Sequence, residues 1–153
     1  MSTDLQKKVL AYLQAHNVMT LATSGPEGLW AAAVFYVNDG FRLYFLSSPD
    51  SRHSLNLETQ PRIAATIQED YKDWPEIKGI QLEGEAKRVI VSKQALVVAR
   101  YGSKFPIIAN ISKAPAEVLQ AFNKITWYQI VPDRLYFIDN SLGLGHRDEV
   151  QLD

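Results

Sequence analysis

Cysteine is missing from the 153-residue chain, and with it go disulfides, thiol catalysis and thiolate-bound metals. Histidine is scarce: His16, His53 and His146 are the only three. They stand far apart in the sequence, so a histidine-rich metal site is not expected. Neither sign of charge is in excess, with sixteen Lys and Arg against seventeen Asp and Glu and a formal net charge of −1. That balance gives no field to gather a polyanion, and no nucleic-acid partner is expected. Long apolar runs are also lacking. The longest, Leu29 to Val37, is too short to span a bilayer, and MSTDLQKKVLAYLQ lacks the apolar block of a signal peptide. The expectations are a cytoplasmic location and no membrane partner. There is no Gly-x-Ser-x-Gly elbow, no phosphate loop ending in Gly-Lys-Ser/Thr and no dinucleotide Gly-x-Gly-x-x-Gly.

What is present is an ordinary globular composition, 46% apolar and 22% charged, at a length that fits one domain over residues 1–153. Leu5, Val9, Tyr12 and Leu13 recur at helical spacing behind Ser2 or Thr3 as a cap, with a stop near Asn17. Val18 to Ser24 reads as a strand, Gly25 to Gly28 as a turn and Leu29 to Val37 as a second strand. Asn38-Asp39-Gly40 turns the chain into a third strand, Phe41 to Ser47, so these three are expected to form a meander. Ser48 and Pro49 read as the start of a helix running to Thr59. Arg62 to Gln68 is a fourth strand. After the polar loop Glu69 to Lys78, a long fifth strand runs from Gly79 to Val91, with a bulge or bend at Gly84. Ser92 should cap a helix through Tyr101 that ends at Gly102. One or two short helical pieces follow between Pro106 and Phe122. Thr126 to Val131 and Arg134 to Asp139 read as a last hairpin around Pro132-Asp133, and the remainder as a Gly-broken, flexible polar tail.

About seven strands and two or three helices predict a mainly β fold. Its form is a small closed antiparallel barrel, Greek-key-like, with helices packed outside. The second strand is apolar on both faces. One face can fill the barrel, and the other needs a helix, a cofactor or a second subunit to cover it.

Two local features carry chemistry. Ala31-Ala32-Ala33 leaves a strand backbone uncovered, which suits either a flat ring lying along it or a crowded barrel interior. Ser47-Ser48-Pro49-Asp50-Ser51-Arg52-His53 brings hydroxyls, a guanidinium and free backbone N–H groups to a helix start. These are the ingredients of a phosphate site, and equally of a capped helix with a solvated arginine.

In this order the features resemble the FMN-binding split barrels related to pyridoxamine 5′-phosphate oxidase. The resemblance is carried by Leu21-Ala22-Thr23, the turn Gly25 to Gly28, Ser51-Arg52-His53 with Asn56, and Gln60-Pro61-Arg62-Ile63. Gln81-Leu82-Glu83-Gly84 and Val131-Pro132-Asp133-Arg134-Leu135 also fit. The stretch Asp139 to Gly145 is most similar to an uncharacterised bacterial subgroup. The resemblance implies FMN as the cofactor, with Ala31, Ala32, Ala33 and Val34 flanking its ring and Ser47, Ser51, Arg52 and His53 around its phosphate. It places Gln81 near the ring and Trp127 close to where an aromatic residue of a partner subunit approaches the flavin. Trp127 reads equally as a core residue. A homodimer with the cofactor at the subunit interface is implied, together with a small-molecule substrate or electron donor.

The chain also departs from the oxidase. Ala33 stands where the oxidase's second strand supplies an arginine to the phosphate. His146-Arg147 are about two places out of register with its C-terminal Arg and His. The expected function is therefore an FMN-dependent oxidoreductase of unassigned substrate that is not pyridoxamine phosphate oxidase itself, with no side chain nameable as acid or base. The alternative is a non-enzymatic binding protein for flavin, haem or another flat ligand on the same fold. Tyr71 and Trp74 in the loop Glu69 to Lys78 either shape a pocket or pack on the barrel rim.

Overall fold

The computed structural model describes residues 2–152. Helix α1 (Asp4–Ala15) begins in a capping box: Thr3 Oγ1 accepts from the Gln6 amide, and Gln6 Oε1 accepts from the Thr3 amide. Such reciprocal bonds satisfy donors that a helix start leaves open. Val9 and Leu13 on this helix are fully buried against the barrel.

The strands are β1 (Val18–Gly25), β2 (Gly28–Phe35), β3 (Val37–Asp39), β4 (Arg42–Ser47), β5 (Arg62–Gln68), β6 (Lys78–Arg88), β7 (Thr126–Asp139) and β8 (Arg147–Glu149). They pair antiparallel in the order β2-β1-β5-β6-β7-β4-β3, with β8 added to β7. The two ends of this path, β2 and β3, are joined through the single residue Tyr36. The sheet must therefore curl until its ends meet, which gives the split barrel. Its interior holds Met19, Leu21, Phe45, Ile67, Ile80, Ile130 and Leu135.

The three-strand meander does not form. The segment expected as one strand from Leu29 to Val37 is two strands with different partners, β2 on β1 and β3 on β4. The switch falls where β1 runs out: Phe35 pairs with Val18, and the Tyr36 amide donates to the Asn17 carbonyl. Beyond Asn17 the chain turns into α1 and offers no further ladder. Tyr36 is buried there, its hydroxyl donating to the Leu13 carbonyl, with Lys104 Nζ 4.1 Å from its ring centroid. Lys104 Nζ also donates to the carbonyl of His16, which caps α1. Burial pulls the Lys104 pKa down to about 8.

Pro132-Asp133 is no hairpin turn either. β7 is one continuous strand, and its pairing with β6 slips at Gly84, leaving Asp133 as the extra residue. A bulge tolerates a proline because the ladder is already interrupted. It also turns Asp133 outward to Arg62, which donates to both carboxylate oxygens. Gly84 is required at this crossing, since a Cβ there would overlap the Val131 carbonyl.

Helix α2 (Arg52–Thr59) begins three residues later than expected, with Ser51 rather than Ser48 as its cap. Ser48 to Ser51 form a preceding turn closed by the Ser51 amide on the Ser48 carbonyl. Helix α3 (Val91–Lys104) runs through Gly102 instead of stopping there. Helix α4 (Pro106–Ala109) packs against it, with Ala109 beside Gly102 at ordinary contact distance. With α5 (Ala116–Asn123), these helices cover the outer face of β4 and the start of β7 over Tyr44, Val97, Tyr101 and Trp127. The tail is ordered: β8 pairs with β7, and Val150 is buried beyond it. No helix among the described residues is long and apolar enough to cross a membrane.

Candidate functional site

The helix layer leaves the outer face of β2, β1, β5, β6 and the second half of β7 bare. Directly paired antiparallel residues share a face, so the register draws one row across five strands: Ala33, Thr20, Thr66, Gln81 and Tyr136. The adjacent row is Ala31, Ala22, Ala64, Glu83 and Arg134. Ala31, Ala33 and Gln81, singled out separately in the sequence, thus lie on one surface made mostly of small side chains. Ala32 and Val34 alternate to the opposite face of β2, where Val34 is buried in the barrel. On the outer face Leu29 is 84% exposed and Phe35 57% exposed. The chain itself covers this side of its second strand only at Phe35, whose ring centroid is 5.4 Å from that of Phe105.

At one end of that strand lies the helix start. Ser47, at the end of β4, is within hydrogen-bond distance of both Ser51 Oγ (3.2 Å) and His53 Nε2 (2.5 Å). Ser51 Oγ is 3.2 Å from the same imidazole nitrogen and also accepts from the Ser54 amide as the N-cap. The first two amides of α2, those of Arg52 and His53, have no carbonyl within the helix to bond to. Burial holds the His53 pKa below the ordinary imidazole value. Arg52 turns the other way, toward the β1–β2 hairpin. Its guanidinium carbon is 4.4 Å from the Trp30 ring centroid, and Nη2 donates to the Glu27 carbonyl at 3.2 Å. Arg52 Nε is buried with no hydrogen-bond partner among the described residues.

This end is locked to the sheet. Asn56, buried on α2, donates to Thr23 Oγ1 at 3.0 Å, and its amide packs so closely on Gly25 that a Cβ there would overlap it. The hydroxyl-rich helix start is thereby held at a fixed offset from Ala31.

Trp127 is not brought to this set. It is 6% exposed beneath the helix layer, edge-on to Tyr101 and Phe122. Three further side chains join the neighbourhood: Trp30 and Tyr136, which sequence reasoning did not single out for it, and Arg147, which it set aside as out of register. Trp30 supports Arg52. Arg147, on β8, lies with its guanidinium carbon 4.4 Å from the Tyr136 ring centroid and reaches Gln81 Oε1 at 3.4 Å. A shallow cleft of about 260 Å³ lies among Ala64, Gln81, Tyr136 and Arg147. The signal for these three is cross-strand register, which a single sequence does not carry. In the loop, the Tyr71 and Tyr12 hydroxyls are 3.2 Å apart, whereas Trp74 is exposed.

The family model described as pyridoxamine 5′-phosphate oxidase matches residues 5–139. A UPF0306 protein of Klebsiella pneumoniae is 30% identical over 138 residues, covering 89% of this chain and 86% of the relative. Among solved structures, a putative pyridoxamine 5′-phosphate oxidase from Listeria innocua superposes with a TM-score of 0.65 at 19% identity, covering 86% of this chain and 96% of that one. HutZ, the haem storage protein of Vibrio cholerae, superposes with a TM-score of 0.68 at 20% identity, covering 87% and 94%.

Proposed function

The chain belongs to the pyridoxamine 5′-phosphate oxidase family, and from that premise we propose that it is an FMN-binding oxidoreductase acting on a small molecule. The observation that carries the reading is the convergence of Ser47 Oγ, Ser51 Oγ and His53 Nε2 beside the two free amides that open α2, together with the buried, unpartnered Nε of Arg52 on the residue between Ser51 and His53. A buried donor without an acceptor is costly and uncommon, and a phosphate oxygen would satisfy it with a charge-assisted bond. Ser47, Ser51, Arg52 and His53 would hold the phosphate, with the free amides at the start of α2. Ala31, Ala33 and Gln81 would border the ring on the outer face, where small side chains leave the backbone approachable.

When bound, the flavin supplies the electron-transfer chemistry, and the protein supplies binding, orientation and hydrogen bonds. Ala33 brings no cation to the phosphate, so the substrate is proposed to be something other than pyridoxamine phosphate.

The bare outer face supports a homodimer with the cofactor site at the subunit interface. Exposed apolar residues in a contiguous patch of this kind mark an interaction surface, and Leu29, Ala31, Ala33 and Phe35 form its edge. Trp127, packed beneath α3, stays outside the proposed site.

A second reading, a non-enzymatic binder of haem or another flat ligand, rests on the likeness to the haem storage protein. The absorption spectrum of the purified protein separates the two, followed by assay with a reduced nicotinamide and an electron acceptor. A flavin spectrum with turnover supports the oxidoreductase. A haem spectrum, or flavin without any turnover, supports the binder.

A further inference from the structure

We propose that a phosphate ester enters the Ser47–Ser51–Arg52 cradle together with one proton taken up by His53, so that cofactor retention falls as the pH rises. The inference rests on the flavin-phosphate reading of the site and concerns how that site is controlled.

The hydroxyl protons are already committed. Ser51 Oγ has the Ser48 carbonyl and Ser54 Oγ, both at 2.8 Å, as acceptors for its hydrogen. With Nε2 of His53 unprotonated, the Ser47 hydroxyl donates to it. The cluster then offers an anion few donors. A proton on His53 reverses the bond: Nε2 becomes a donor, and the Ser47 hydrogen is released for another acceptor.

Charge balance points the same way. A phosphate monoester carries close to two negative charges above its second ionisation, near pH 6. Arg52 would supply one positive charge on turning from Trp30 and the Glu27 carbonyl, and the helix N-terminus about half of one. The neighbours do not supply the rest. Asp50, exposed on the preceding turn, adds a negative charge. Lys124 from α5 reaches the cleft beside Ser48, but Glu117 lines the same cleft and offsets it. From the β1–β2 hairpin come Glu27, through its carbonyl, and Trp30, both engaged by Arg52. Phe45 faces the imidazole from β4, with Tyr128 of β7 stacked behind it. His53 is thus the group able to provide the second cation. Burial disfavours its charged form in the free chain, so binding draws the proton in.

The test is calorimetric titration of the full chain with FMN at pH 7.5, in two buffers of different ionisation enthalpy. The wild type should take up close to one proton per FMN, and its affinity should fall about tenfold from pH 7 to pH 8, the slope of a one-proton linkage. Riboflavin should bind with no uptake. His53→Lys keeps a cation without titrating near neutrality, so it should bind FMN with no uptake and a flat pH profile. FMN binding without proton uptake by the wild type, or uptake persisting in His53→Lys, overturns the inference and leaves the flavin reading standing. Failure of the wild type to bind FMN at any pH overturns both.

Discussion

The Arg52 guanidinium lies over the Trp30 ring, 4.4 Å from its centroid, which ties the first residue of α2 to the strand that carries Ala31. Phosphate end and ring end of the candidate site are therefore linked through one side-chain pair. Arg52→Ala should weaken FMN by about 1.5–3 kcal/mol, the worth of a hydrogen bond to a charged group, and so by roughly ten- to hundredfold. Riboflavin should barely change. Trp30→Ala should show the same selectivity at smaller size, because it frees Arg52 without removing it. The Arg52→Ala effect should shrink as salt rises. Equal loss for both ligands would make Arg52 a structural residue only.

The bare face of β2 predicts assembly. Sedimentation at micromolar concentration should give a dimer, with an interface burying about 2,000 Å² or more. Leu29→Asp places a charge on an 84% exposed position and should yield monomers with little loss of the monomer's own fold. A wild type that sediments as a monomer would remove the shared-site proposal.

Crowding at two glycines predicts stability. Gly84→Ala meets the Val131 backbone, which cannot rotate away, whereas Gly25→Ala meets the Asn56 side chain. Both should destabilise, by about 1–3 kcal/mol or more as overpacked sites do, with Gly84→Ala the more severe. Urea unfolding of the two variants checks the order. A neutral Gly84→Ala would contradict the bulge geometry.

These crossings also show how much of the molecule was legible in its sequence. Arg62–Gln68 reads correctly as a strand because its alternation is clean and Pro61 and polar residues bound it. The bulge at Gly84 is legible because a glycine inside a strand has few other uses. The switch of partner at Tyr36 is not, since an apolar run looks the same whichever neighbour it pairs with. Pro132-Asp133 reads as a turn because the same residues suit turns and bulges, and only Gly84 across the ladder distinguishes them. Gly102 reads as a helix stop although α3 continues through it to Lys104. At the site, the local cluster Ser47, Ser51, Arg52 and His53 is visible in the chain. Its relation to Trp30, and that of Gln81 to Arg147, depend on register and tertiary approach.

Burial of Lys104 predicts a pH effect. Its folded pKa of about 8 lies below the 10.5 of an ordinary lysine. Between those values the unfolded chain binds more protons, so this group makes stability rise with pH there and costs stability below the window. Between about pH 8 and 9, before tyrosines titrate, the wild type should gain stability relative to Lys104→Met. Parallel pH profiles for the two proteins would show that the ammonium is solvated.

Whether the cradle at the start of α2 holds a phosphate is decided by comparing FMN with riboflavin on one preparation of the wild type. The two ligands differ only in that group, so their dissociation constants isolate it. FMN should bind at least about tenfold tighter near neutral pH, one charged hydrogen bond or more, with the difference shrinking in high salt. Equal affinity for the two would contradict it.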